Sequence, residues 1–280
     1  MKKTILSTLG AIGIAATLVG CGGAETQSSQ SISISGSTSV TELMEVLGET
    51  FQGSHPDVVV EVQGTGSSAG IRAANDGTSQ IGMSSRSVAD GELSEGVKKI
   101  TLAHDGIAVV VNNSNTVTNM TTDQISAIYK GEITNWNEVG GSDSPIVVVT
   151  RDPASGTRGA FEDIMSLKMK TEDGKKISAI SASAQVAAGN GAVKTTVAQN
   201  NYAIGYISLG SVDNSLKALS VNGVEATPAN ISSGDYGVAR PFELMFKSDD
   251  QSEASHAYLD WMLTDEAQQI VKEKGYISVI

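Results

Sequence analysis

The chain has 280 residues, 19 Lys and Arg against 31 Asp and Glu, and a net charge of −12. This balance gives no electrostatic reason to bind nucleic acid. One cysteine excludes an internal disulfide, and three scattered histidines give no basis for a structural metal site.

The N-terminus reads as an export signal. Lys2 and Lys3 precede an apolar stretch over residues 5–19, which is short for a membrane span and right for a signal-peptide core. Leu18-Val19-Gly20-Cys21 resembles a lipobox, the bacterial signal for cleavage before Cys21 and diacylation of its thiol. Residues 1–20 are thus expected to be a lipoprotein signal peptide. Residues 21–31, rich in Gly, Ser and Gln, are expected to be a flexible tether from the lipidated Cys21. Loss of Lys2 and Lys3 from the 19 basic residues leaves 17 against 31 acidic ones, a net charge near −14. An anion site in such a chain must overcome the global field with local, preorganised donors.

Beyond the tether, strands alternate with helices, which argues for an α/β sheet layered by helices. Residues 31–35 alternate apolar and polar, and Gly36-Ser37-Thr38-Ser39 then turns into a helix carrying Val40, Leu43, Met44, Leu47 and Phe51. Residues 58–62 form the next strand, and Gly64-Thr65-Gly66-Ser67-Ser68-Ala69-Gly70 opens a helix that Asp76-Gly77 closes. Residues 81–85 are a short strand ending in Ser84-Ser85. A strand is expected over 107–111, a helix over 121–129 with Thr121 and Gln124 at capping-box spacing, and a strand over 146–149. After that strand comes Arg151-Asp152-Pro153-Ala154-Ser155-Gly156-Thr157-Arg158, followed by a helical pattern with Phe161, Ile164, Met165 and Lys168 on one face. A helix over 191–199, a strand over 203–207, an apolar run over 242–246 and one helical tail over 252–274 complete the pattern.

Three strand ends therefore lead into Gly-containing, hydroxyl-rich corners that open helices, and a fourth ends at Ser84-Ser85. The first N–H groups of a helix lack internal partners, and the macrodipole places partial positive charge there. Ser155 and Thr157 add hydroxyls, Gly156 permits close backbone approach, and Arg151 adds a planar cationic fork. Ligands of open α/β sheets bind outside the carboxyl ends of strands. The pattern points to convergence on one small oxyanion. Ordinary helix caps beside a surface arginine are the bland alternative.

The joint order of these segments resembles the phosphate-binding lipoproteins of Pst-type ABC importers, in their Gram-positive form. The segments that carry it include Gly36-Ser37-Thr38-Ser39-Val40, the run from Gly64 to Gly70, Gly82-Met83-Ser84-Ser85-Arg86 and Gly131-Glu132-Ile133-Thr134-Asn135-Trp136. Arg151 through Phe161, Ala203-Ile204-Gly205-Tyr206, and the tail around Leu263-Thr264-Asp265-Glu266-Ala267 and Gly275-Tyr276-Ile277 complete it. The resemblance implies a two-lobed class II periplasmic-binding-protein fold. One lobe would be residues 32–106 plus 243–280 and the other 107–242, with hinge crossovers near 105–111 and 238–246. It implies high-affinity binding of inorganic phosphate by Thr38, Ser39, Ser67, Ser85, Arg151, Ser155, Gly156 and Thr157, with Ser37, Ser68 and Arg86 as neighbours. Arg86 is better explained as a salt-bridge residue and Arg158 as structural. It further implies a monomer, lipid-anchored on the extracytoplasmic face of the cell membrane, that delivers phosphate to a permease and ATPase without any cofactor.

Many relatives carry Asp where Ser85 falls, and that carboxylate accepts a hydrogen bond from the proton on phosphate. Ser85 carries no charge, so preference over sulfate is expected to be narrower, or to rest on another acceptor such as Asp152. Sulfate, molybdate or tungstate capture and a surface sensing or interaction role are the rival binding readings. Gly66-Ser67-Ser68-Ala69-Gly70 also matches a hydrolase nucleophile elbow, with Ser68 as nucleophile and His256 as base. His256 lies in an amphipathic helical stretch where a surface histidine is the ordinary outcome. Trp136 and Trp261 read as packing residues, and the reading is of a binding protein, not an enzyme.

Overall fold

The computed structural model describes residues 30–280. Cys21 and the expected signal peptide lie outside them, as does most of the expected tether. Chain order is β1 (Gln30–Gly36), α1 (Thr38–Ser54), β2 (Val58–Gly64), α2 (Ser67–Asp76), β3 (Ile81–Ser84), β4 (Val97–Val111) and β5 (Asn119–Met120). Then come α3 (Thr122–Lys130), β6 (Val147–Arg151), α4 (Gly156–Ile164), β7 (Lys168–Lys170), β8 (Lys176–Ser178), β9 (Gln185–Ala187) and α5 (Gly189–Gln199). The chain closes with β10 (Ala203–Ser208), β11 (Lys217–Ala218), β12 (Ser220–Val221), α6 (Pro228–Ser232), β13 (Ala239–Lys247), α7 (Glu253–Trp261) and α8 (Asp265–Glu273). No helix among the described residues is long and apolar enough to cross a membrane.

A single curled sheet runs β2-β1-β3-β13-β4-β10-β6-β9, with β11 also paired to β4. The long strand β4 changes partner partway along. Residues 97–106 pair antiparallel with β13, and Ile107 to Val111 pair antiparallel with β10. The apolar core changes at the same point. Ile32, Leu43, Leu47, Phe51, Met83, Leu102, Phe242 and Tyr258 pack in one cluster. Ile107, Val109 and Val111 face a second, with Tyr129, Phe161 and Tyr206, while Ala108 and Val110 face a third, with Val149, Val193 and Val197. The sheet is thus covered on both faces there, which is why residues 107–111 read as a continuous apolar run rather than an alternation.

Several elements depart from expectation for local reasons. The strand expected over 107–111 begins ten residues earlier, because Lys98, Lys99, His104 and Asp105 break its apolar pattern. The expected helical tail over 252–274 is two helices, since the Thr264 side chain accepts from Ala267 N and starts α8 afresh. Lys168 does not belong to the face of α4. That helix ends at Ile164, Ser166 takes a positive φ of 54°, and Lys168 begins the β7–β8 hairpin. Gln30 and Ser31, expected as the end of the tether, instead pair with Val58 and Val59 in the sheet.

A buried ion pair joins β4 to β13 where the cores divide. Arg240 Nε and Nη2 donate to Asp105 Oδ2 at 3.2 and 2.9 Å. Burial pushes Asp105 up and Arg240 down, and their mutual attraction opposes both shifts. Removing one partner of such a pair leaves an uncompensated buried charge, which costs about 3–5 kcal/mol. Asp105→Ala is therefore expected to lose stability of that order in urea denaturation. The double variant with Arg240→Met should recover part of it, and equal losses in both variants would disprove the pairing account.

Candidate anion-binding site

Helices α1, α2 and α4 all begin at the carboxyl ends of parallel-run strands, and their first turns meet. Ser37 caps α1: its hydroxyl accepts from Ser39 N and donates to Ser85 Oγ at 2.7 Å. The left-handed corner before it needs glycine, because a Cβ on Gly36, at φ 143°, would lie 2.2 Å from Met83 O. Ser67 opens α2, and its Oγ accepts from Ser85 N at 3.1 Å. Across the cleft, Ser155 caps α4 by accepting from Arg158 N, and Thr157 Oγ1 lies 2.8 Å from Ser39 Oγ. A Cβ on Gly156 would fall 2.1 Å from Ser67 Oγ and 2.8 Å from Ser85 Oγ. Seven of the eight expected residues thus touch one another or meet at a Cβ position, and Ser155 holds the corner between Arg151 and Gly156. Six of the eight side chains or backbones are buried hydroxyl or glycine positions, and Thr38 is half-buried.

Arg151 supplies the charge. It is only 1% exposed. Its Nη1 donates to Asn190 Oδ1 and its Nη2 to Thr38 Oγ1, both at 2.8 Å. Its buried Nε has no partner, and no carboxylate pairs with it among the described residues. Burial pushes the guanidinium down to about 10, with Tyr206 opposing, Arg240 adding to the depression and Asp152 opposing it. It stays protonated at neutral pH. Its backbone is fixed as well: Arg151 N donates to Tyr206 Oη at 3.3 Å, and Arg158 Nη1 donates to Arg151 O at 2.8 Å. Tyr206 itself stacks on Phe161 at 4.0 Å, so the strand end is braced by the core. A buried cation, an orphaned donor and several helix N-termini are groups whose chemistry suits a small oxyanion. An open volume of about 280 Å³, lined by Thr38, Gly66, Arg151, Asp152 and Gly189 among others, gives access to it.

Of the neighbouring candidates, Ser37 joins this constellation through Ser85, and the others fall outside it. Arg86 makes a two-point ion pair with Glu92, at 2.6 Å for Nη2. Arg158 pairs with Glu162 at 2.7 Å. Asp152 Oδ1 accepts from Ala154 N, so this oxygen is committed to its own turn. Ser68 is half-buried in α2 and His256 exposed on α7. No cluster of metal-ligating residues occurs among the described residues. Sequence reasoning missed Asn190 and Arg240. Asn190 lies in a fourth glycine-bearing corner, Gly189-Asn190-Gly191, but β9 before it is only three residues long and left no strand signal. Arg240 reaches the site through its Nη1, which donates to Ser85 O at 3.1 Å.

Residues 22–266 match the family model of the PBP superfamily domain. The chain belongs to that superfamily, and its mixed α/β fold with one curled sheet is in keeping with it. Within it, the chain is 43% identical to a Clostridium perfringens protein solved with bound phosphate and described as a phosphate ABC transporter substrate-binding protein. The match covers 90% of this chain and 100% of that one, with a TM-score of 0.84. An ABC-type phosphate transport receptor from Vibrio cholerae is 42% identical over 89% of this chain and 100% of its own, with a TM-score of 0.74. The phosphate-binding protein PstS of Borreliella burgdorferi is 28% identical over 253 residues, 89% of this chain and 90% of that one. The chain is a member of this family of transport binding proteins.

The close approach of Gly156 to Ser67 and Ser85 leaves no room for a side chain there. Gly156→Ala is expected to hold the two sides apart while sparing both cores. Far-UV circular dichroism should be unchanged, the radius of gyration from small-angle scattering should increase, and amide protection at Thr157 should fall. Unchanged radius and protection would show that the corner tolerates a methyl group.

Proposed function

We propose that this protein captures inorganic phosphate in the cleft and delivers it to a membrane ABC permease and its ATPase. The carrying observation is Arg151, a buried cation without a carboxylate, ringed by hydroxyls and helix starts. In this reading Arg151 neutralises the anion. Thr38, Ser39, Ser67, Ser85, Ser155, Gly156 and Thr157 donate to it from hydroxyl and backbone groups. Residues 32–106 plus 243–280 form one lobe and 107–242 the other. The change of partner and core along β4 supports a hinge there. Because both lobes contribute ligands, phosphate stabilises the closed form by differential contacts. Cys21 carries the lipid that holds the monomer at the extracytoplasmic face, and the work is binding rather than catalysis. Family membership and the bound phosphate of the Clostridium perfringens structure support the same ligand.

A second reading, capture of another tetrahedral oxyanion such as sulfate, is favoured by one observation. Ser85 Oγ already accepts a hydrogen bond from Ser37, and among the described residues no carboxylate is hydrogen-bonded to Ser37, Ser39, Ser67, Ser85, Arg151 or Thr157. Calorimetric titration of phosphate, then sulfate, into the mature domain after unfolding and refolding to strip ligand separates the two. Phosphate is expected to bind tightly, and Arg151→Ala to abolish binding. The margin over sulfate should be narrower than a charged acceptor would give, which is about tenfold to a hundredfold. Equal affinity for both anions would overturn phosphate preference, and binding of neither would overturn the reading.

The pH dependence has a definite sign. Burial holds the guanidinium of Arg151 below its ordinary value, so its charge destabilises the unliganded fold, and an anion that pairs with it returns that stability. Deprotonation removes the partner of the anion. Phosphate affinity should therefore hold level from pH 8 to 9 and fall about tenfold per unit above about 10. An affinity unchanged at pH 11 would show that Arg151 keeps its proton there and that burial does not depress it this far.

A further inference from the structure

Asn190 is the second residue of α5 and is 7% exposed. Its side-chain amide makes three bonds. Oδ1 accepts from Arg151 Nη1 at 2.8 Å, and Nδ2 donates to Ser39 Oγ at 3.2 Å and to Ser211 Oγ at 3.1 Å. The orientation of the amide follows from chemistry, since a guanidinium has only donors and must face the oxygen. Both N–H groups of the amide are thereby used on hydroxyls. Ser39 Oγ accepts from Asn190, so its own hydrogen must point elsewhere, and it is hydrogen-bonded at 2.8 Å to Thr157 Oγ1 across the cleft, a pair in which either hydroxyl can donate.

We infer that Asn190 is a positioning and specificity-determining residue of the anion site. It orients the guanidinium of Arg151 without cancelling its charge, and it turns the Ser39 hydroxyl into a donor facing the anion. The inference rests on the phosphate reading above and adds a residue to it. A neutral amide is the group that fits both tasks. A carboxylate of the same shape would hold Arg151 equally well, but it would neutralise the cation and make Ser39 donate away from the cleft. An aliphatic side chain would free Arg151 Nη1 and leave the charge intact.

Two variants distinguish this role from packing. If Asn190 mattered only for shape and hydrogen bonding, the isosteric Asn190→Asp would be the milder change and Asn190→Ala the harsher. The charge argument predicts the reverse. By phosphate calorimetry, N190A should lose about tenfold in affinity and N190D a hundredfold or more. N190D should also melt, without phosphate, at or above the wild-type temperature because it gains an ion pair. N190D within threefold of wild type, or milder than N190A, overturns the assignment. If N190D does not fold, N190A alone decides, since affinity within threefold of wild type overturns it too. Wild-type protein that binds no phosphate overturns the phosphate reading and this assignment together. A normal wild type beside an unaffected N190D overturns the assignment alone.

Discussion

A guanidinium taken out of water without a carboxylate beside it is the constraint on which this structure turns. Transfer of an isolated charge to a protein interior is among the largest penalties a fold can carry. Arg151 bears it with neutral partners only: an amide oxygen and a threonine hydroxyl. The core supplies the rigidity. Tyr206, stacked on Phe161, holds the Arg151 amide, and Arg158 holds its carbonyl. A chain with a net charge of −12 repels anions at long range. Only a site whose charge is buried and uncancelled can reverse that sign locally, because the low dielectric that makes the bare cation costly also strengthens its attraction for an anion.

The second buried arginine shows the contrast. Arg240 is as deeply placed, yet Asp105 pairs with it directly. Paired, it has no use for a ligand and acts structurally, tying β4 to β13 and holding Ser85 O in place. The two guanidiniums lie close enough for Arg240 to depress Arg151 further. One cation is thus satisfied at the point where the apolar clusters divide, and the other is held unsatisfied at the cleft.

Much of this was legible in the sequence because the site is built from local motifs. A glycine, a hydroxyl and a helix start within a few residues of a strand end form a pattern that survives without tertiary information, and the three corners at Thr38, Ser67 and Gly156 follow it. What was not legible depends on distant pairing. Asp105 and Arg240 lie 135 residues apart and meet only because β4 and β13 run antiparallel. Asn190 offered a glycine-flanked corner but no hydroxyl, and its strand was too short to announce it. The tail was read as one helix because Leu263 and Thr264 sit inside a sustained amphipathic pattern. The capping bond at Thr264, a single local choice, overrides that periodicity.

The polarity of the hydroxyls carries the last step. Ser37 spends its hydrogen on Ser85 Oγ, while its oxygen accepts from the α1 backbone. Ser67 Oγ accepts from Ser85 N, and Ser39 Oγ accepts from Asn190. Each of these oxygens receives a hydrogen bond from the protein, so the remaining hydrogens of Ser39, Ser67 and Ser85 are shared only with other hydroxyls of the corner, Ser39 with Thr157 and Ser67 with Ser85. A ring of donors around an uncancelled cation recognises negative charge and tetrahedral shape. It does not require the guest to bring a proton, as a carboxylate acceptor would. In the proposed reading, selectivity is set by how well a guest fills the donor directions of the corner, and the neutral Ser85 and Asn190 serve the same end: neither removes charge from the cleft.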